Sequence, residues 1–178
     1  MSKYKNELRF YAGLNKNIKK GGAVFFGCDC FYSLPVSEIT QDMNLDINTY
    51  NRSLKGLVIS EAATVAEECI YSLNPSKLFV NIGENDIPDE NFNLESFIEN
   101  YEWFLYNVHN RCKCSICIIA IPGEGTDAVN QRLREPSLRH GCEFLSVKDG
   151  DLSVNFIRKA RYFFRKGVID FSDAMALS

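Results

Sequence analysis

Long apolar runs are missing from this chain. No stretch of its 178 residues approaches the ~18 consecutive apolar positions that a transmembrane helix requires, so membrane insertion is not expected. The segment from Met1 to Lys20 alternates charged and polar side chains without an apolar h-region, which argues against a secretory signal. An excess of one charge sign is missing too. The 20 Lys and Arg against 23 Asp and Glu leave a net charge of −3, giving no electrostatic reason to expect nucleic acid or an anionic membrane as partner. The densest basic patch, Arg158, Lys159, Arg161, Arg165 and Lys166, falls at helical spacing and reads as a solvated face. Internal repeats, low-complexity tracts and linkers are also lacking, so residues 1–178 read as one domain. Cysteine is present in an odd number, 7. Several sit inside apolar runs where a small thiol packs well, and without a secretion signal they read as reduced thiols of a cytoplasmic protein.

What is present is ordinary globular composition, 46% hydrophobic and 24% charged, enough for one substantial core. Short apolar runs read as buried strands: Gly22-Ala-Val-Phe-Phe-Gly27, Lys77-Leu-Phe-Val-Asn-Ile-Gly83, Ser115-Ile-Cys-Ile-Ile-Ala-Ile121, stopped by Pro122, and Cys142-Glu-Phe-Leu-Ser-Val147. Ile47-Asn-Thr-Tyr-Asn51 is a weaker fifth. Between them lie helical patterns. Pro35 to Met43 opens with proline in its first turn. Ser60 to Leu73 opens with a capping serine and carries Ala63, Ala66, Ile70 and Leu73 on one face. Leu94 to Val108 carries Phe97, Tyr101, Phe104, Leu105 and Val108. Thr126 to Leu138 is expected to end or kink at Pro136. Strand and helix alternating at this spacing predict an α/β fold, a three-layer α/β/α sandwich around a five-stranded parallel sheet of flavodoxin-like type. In such sheets the functional crevice lies at the carboxyl ends of the strands, which points to the loops after Gly27, Asn51, Gly83 and Ile121.

Those loops carry recognisable segments. Gly83-Glu84-Asn85-Asp86 follows one strand, and Asn51-Arg52-Ser53-Leu54-Lys55-Gly56 follows another. In position and order they resemble conserved blocks of the SGNH (GDSL-type) esterase superfamily, the Gly-x-Asn-Asp block and the Asn-Arg-Gly-x-x-Gly block. The resemblance spans roughly residues 20 to 175. It implies that Asn85 and the backbone N–H of Gly56 are oxyanion donors, groups that stabilise a developing alkoxide without reorganising. Gly56 matches the second glycine of its block, and Ser53 replaces the first.

The other two blocks depart from the family. Where it reads Gly-Asp-Ser after the first strand, with serine as nucleophile, this chain reads Gly27-Cys28-Asp29-Cys30. Aligned on the strand-ending glycine, Asp29 takes the serine position; aligned on the aspartate, Cys30 takes it and Cys28 replaces the glycine. The apolar run favours the first register. Ser33 comes too late in either. The family's closing Asp-x-x-His, which supplies the base and the acid that orients it, is matched best by Lys166 and Ile169, with Asp170 next door as a short, weak substitute. A rival placement, Asp149 to Ser153, restores an acid without a histidine. The 2 histidines, His109 and His140, fall at the sheet end away from the crevice.

Other features read more simply. Cys112-Lys-Cys-Ser-Ile-Cys117 invites a zinc site, yet Cys117 lies in an apolar strand and no second ligand pair follows, so no metal or cofactor is expected. Cys30 near a helix start could be a thiolate nucleophile; a small buried residue is the plainer reading. Phe31, Tyr32 and Leu34 could line a ligand pocket or pack the first helix. Two functions remain: a catalytically degenerate SGNH-type protein that keeps a pocket for a small-molecule or acylated ligand, and an acylhydrolase or acyltransferase built on Cys30. The first is favoured, because no histidine maps to the crevice.

Overall fold

The apolar runs form the sheet. In this computed structural model, which describes residues 3–146, they become β1 (Ala23–Gly27), β2 (Thr49–Asn51), β3 (Lys77–Asn81), β4 (Ser115–Ile119) and β5 (Glu143–Leu145). The order is β2-β1-β3-β4-β5 and all four pairings are parallel. β1 and β3 are buried along their whole length, which is why both read as unbroken apolar runs rather than alternating ones. Asp149 to Ser153, the basic patch, Lys166, Ile169 and Asp170 lie outside the described residues.

Six helices complete the described chain: α1 (Lys5–Asn15), α2 (Asp29–Tyr32), α3 (Val36–Asp42), α4 (Ile59–Cys69), α5 (Leu94–Arg111) and α6 (Asp127–Arg139). Helix α1 packs on α4, α4 on α5, and α5 on α6, a continuous layer whose apolar sides meet Val24, Phe26, Leu78, Val80, Ile116 and Ile118. The alternate strand residues Ala23, Phe25, Phe79, Cys117 and Ile119 point to the opposite face and pack with Phe31, Val36 and Ile39 of α2 and α3, as the two-residue strand period requires. Phe25 and Phe79 stack at 4.5 Å across β1 and β3. The three-layer α/β/α arrangement expected from the sequence is therefore present.

Several local expectations change. Helix α1 was not anticipated, although Tyr4, Leu8, Tyr11 and Asn15 follow one helical face. Ser60 is not a cap: α4 begins at Ile59, with Val58 at the cap position, and the carboxylate of Asp86 accepts the Ile59 N–H at 3.0 and 3.3 Å. The helical turn Tyr71–Leu73 is separate from α4. Pro136 neither ends nor breaks α6, which continues to Arg139, because only the last turn lies beyond it and few hydrogen bonds are lost there.

Candidate functional site

β1 connects to β2 on one side and the chain then returns to place β3 on the other, so the topological switch point lies between β1 and β3. Asp29 follows β1 and Asn85 follows β3, facing each other across it. Asp29 is the first residue of α2. Its Oδ2 accepts the backbone N–H of Gly56 at 2.7 Å and Nδ2 of Asn85 at 2.8 Å. Segments following three different strands thus meet on one carboxylate oxygen. The approach depends on Gly27: a Cβ there would run into the Asn81 carbonyl oxygen of β3. Gly56 has φ +71, the left-handed region that glycine enters without steric cost.

The electrostatics separate the groups. Burial pushes the Asp29 carboxyl up, but hydrogen bonds from Asn85 and Gly56 outweigh it and leave the pKa below its ordinary value, as bonds to a charged form do. Glu84, the variable residue of its block, turns back over the start of α2: its Oε2 accepts the Cys30 N–H at 3.0 Å and lies 3.7 Å from Cys28 Sγ. Burial first, and Glu84 second, push the thiols of Cys28 and Cys30 up, Cys28 to about 12. Burial likewise raises Asp86 to about 6. Beneath this layer Tyr101 is fully buried.

The structure therefore gathers Asp29, Gly56 and Asn85 at one point and places Cys30 one step further into α2, half-buried beside Glu84. Asp170 lies outside the described residues. Ser33 follows α2 and donates to the Asp29 carbonyl at 3.4 Å. Ser53, at the position of the missing glycine, is buried and donates its N–H to Asn51 Oδ1 at 3.0 Å. Phe31 is core, its ring 5.5 Å from Phe25, while Tyr32 is exposed. His109, in the last turn of α5, and His140, after α6, stack on each other at 5.7 Å, at the helix ends remote from the crevice. Cys117 is buried in the second apolar cluster. Among the described residues no three His, Cys, Asp or Glu side chains are grouped to hold a metal ion, and no helix is long and apolar enough to cross a membrane. A groove of about 360 Å³ between α1 and α4, lined in part by Asn15, Lys16, Lys20 and Glu68, involves none of the crevice residues. Sequence reasoning missed Glu84, for which no pattern existed, and the N-terminal residues that reach the Gly56 loop, for which the Tyr4, Leu8, Tyr11, Asn15 stripe was the available signal.

A parallel α/β/α domain with the strand order β2-β1-β3-β4-β5 has the architecture of solved GDSL-type structures. The fold is similar to that of a GDSL-like lipase from Bacteroides thetaiotaomicron, with TM-score 0.73 and 13% identity over 93% of this chain and 100% of that one. It is also similar to the lipase/acylhydrolase from Enterococcus faecalis, with TM-score 0.59 and 16% identity over 71% and 76% of the two chains. A catalytic mutant of an acetylxylan esterase from Geobacillus stearothermophilus matches with TM-score 0.59 and 15% identity over 80% and 82%. No protein-family model matches the sequence, and no curated protein does. The chain has an SGNH hydrolase-like fold.

Proposed function

We propose that this chain is a catalytically degenerate SGNH-fold protein that binds a small molecule at the strand-end crevice instead of hydrolysing an ester there. The observation that carries the reading is the Asp29 carboxylate, bonded at 2.7 and 2.8 Å to the two groups that would serve as oxyanion donors. An incoming ester carbonyl would have to displace a charge-assisted pair of hydrogen bonds before it could be polarised. Attack by Asp29 itself on an acyl carbon would give a mixed anhydride, a poor route to simple ester hydrolysis. Cys30 is a weak alternative, because burial and Glu84 keep its thiol protonated, whereas a nucleophilic cysteine needs a lowered pKa. Neither histidine is near enough to act as base.

With the donors engaged, a molecule entering the crevice meets carboxylates. Ligands that donate hydrogen bonds, such as hydroxyl or ammonium compounds, fit this chemistry better than acylated ones. Cys28, Cys30, Cys69, Cys112, Cys114 and Cys142 form no disulfide, which supports a reducing, cytoplasmic setting.

The test is hydrolysis of p-nitrophenyl acetate and butyrate by the purified protein. The expected result is a rate no greater than that of a surface-matched control protein, because the donors that sustain a residual rate of about 10³ to 10⁴ over water without a triad are held by Asp29. Robust turnover abolished by Cys30→Ala would replace this reading with a cysteine acylhydrolase.

A further inference from the structure

We infer that Tyr4, seconded by Lys3, is a positioning residue for the crevice: it grips the carbonyl of Gly56 from behind and so keeps the Gly56 N–H aimed at Asp29. The inference rests on the reading of Asp29 as the centre of the site, and extends it to a part of the chain that the sequence does not connect with that site.

Gly56 carries no side chain to anchor it, a Cβ built on it would meet nothing within 4 Å, and glycine is the residue whose φ and ψ are softest. On one side its N–H reaches Asp29 Oδ2 at 2.7 Å. On the other its carbonyl oxygen lies 3.0 Å from the Tyr4 hydroxyl and 3.1 Å from Lys3 Nζ. The two bonds fall on the two peptide units that flank the Gly56 Cα, so together they restrain its φ and ψ, and releasing the carbonyl relaxes one of the two restraints that aim the N–H.

The grip itself is anchored. Tyr4 is buried, 4% exposed, and its hydroxyl also lies 2.9 Å from Glu61 Oε2; Lys3 Nζ lies 2.9 Å from the same oxygen. A hydroxyl has one proton for two acceptors, and the ammonium beside it supplies the other donor, so the Gly56 carbonyl and Glu61 are both satisfied. Burial pushes the Tyr4 hydroxyl up to about 12, so it stays a donor across the ordinary pH range. Glu61 belongs to the first turn of α4, whose leading N–H is taken by Asp86, the neighbour of Asn85. Both groups bonded to Asp29 are thereby referenced to the same helix start. The rest of α1 grips the same loop further back: Tyr11 donates to the Ser53 carbonyl at 2.9 Å, and Asn15 Oδ1 accepts from Arg52 at 3.0 and 3.2 Å.

The experiment follows the Gly56 amide by hydrogen exchange and the Asp29 carboxyl by NMR titration, in the full chain and in Tyr4→Phe. The expected result is exchange at Gly56 faster by about fivefold to tenfold, the ratio that goes with one lost hydrogen bond, together with an Asp29 midpoint that rises toward the ordinary 3.8. Tyr11→Phe, which removes a contact of the same helix with Ser53, should move neither reading. A Tyr4→Phe protein that melts earlier but keeps both readings overturns the positioning role, and so does an equal response in Tyr11→Phe. Should Tyr4→Phe fail to fold, Lys3→Ala, at a half-exposed side chain (53%), carries the test and must speed Gly56 exchange in the same sense. Asn85→Ala separates the two levels. If it raises the Asp29 midpoint while Tyr4→Phe does not, only the positioning role falls. If Asp29 titrates at its ordinary value and ignores Asn85→Ala, the crevice reading falls and this inference with it.

Discussion

Two carboxyls border the crevice and are pulled in opposite directions. Burial works against ionisation of both, but Asp29 receives two hydrogen bonds that favour its charge and ends below the ordinary 3.8, whereas burial dominates at Asp86 and takes it to about 6. The consequences for stability have opposite signs. Asp29 contributes stability above pH 3.8, its unfolded value, and loses it as the pH falls through its lower folded midpoint. Asp86 contributes below pH 3.8 and loses that contribution as the pH rises through about 6. Asp29→Asn should therefore destabilise at pH 6 and approach the unaltered protein in strong acid. Asp86→Asn, which keeps an oxygen to accept the Ile59 N–H, should gain on the unaltered protein between pH 4 and pH 6 (roughly the window between the two midpoints). Urea denaturation across that range checks both; parallel curves for the Asp86 variant would show that its carboxyl is not raised.

At the scale of elements, the crevice exists because β1 and β3 approach closely at their carboxyl ends. Gly27 pairs with Asn81 at the last rung of that ladder, and a side chain there would strike the Asn81 carbonyl and press on Phe31, whose Cδ2 would lie 3.3 Å away. Gly27→Ala is expected to cost about 1–3 kcal/mol through overpacking, read as a lower urea midpoint with unchanged slope. It should also disturb Asp29, two residues on, so that the Asn85 side-chain amide resonances shift. The last residue of β2 is tied to α2 and to the loop after it: Asn51 Nδ2 donates to the carbonyls of Phe31 at 2.6 Å and Leu34 at 3.1 Å. That bond set holds the short α2, a four-residue helix too brief to be stable alone, in the place that puts Asp29 over the donors.

At the scale of the whole molecule, the thiols report on the packing. Five of the seven cysteines are buried and the other two half-buried, and burial is the first cause of the raised pKa at Cys28, Cys30, Cys69, Cys112, Cys114 and Cys142. All seven should react with Ellman's reagent in denaturant, and the native protein should react slowly, because most of the thiols are buried and burial disfavours the thiolate at the six named here. Rapid native reaction at Cys30 would contradict the protonated thiol described at the crevice. Much of this architecture was legible beforehand. Ala23–Gly27 and Lys77–Asn81 are buried on both faces and so read as unbroken apolar runs. The stripe from Phe97 to Val108 is one face of a long helix. The segments ending in Gly56 and Asn85 showed their character by following strands. Helix α1 escaped because its inward face mixes Tyr4, Leu8 and Tyr11 with the polar Asn15, and the polar end is inward only because Arg52 is buried against it. Glu84 escaped because nothing in its neighbours says which way its side chain turns. The sequence by itself determined a parallel α/β domain with a crevice at defined strand ends, since side-chain periodicity and turn chemistry are local properties that a few consecutive residues display. Only the tertiary structure decided that Asp29, and not Cys30, takes the donors, and that the N-terminus braces them. Those bonds join residues 27, 56 and 52 positions apart, and a hydrogen bond that forms or fails within a few tenths of an ångström is set by strand order and packing, which no local pattern records.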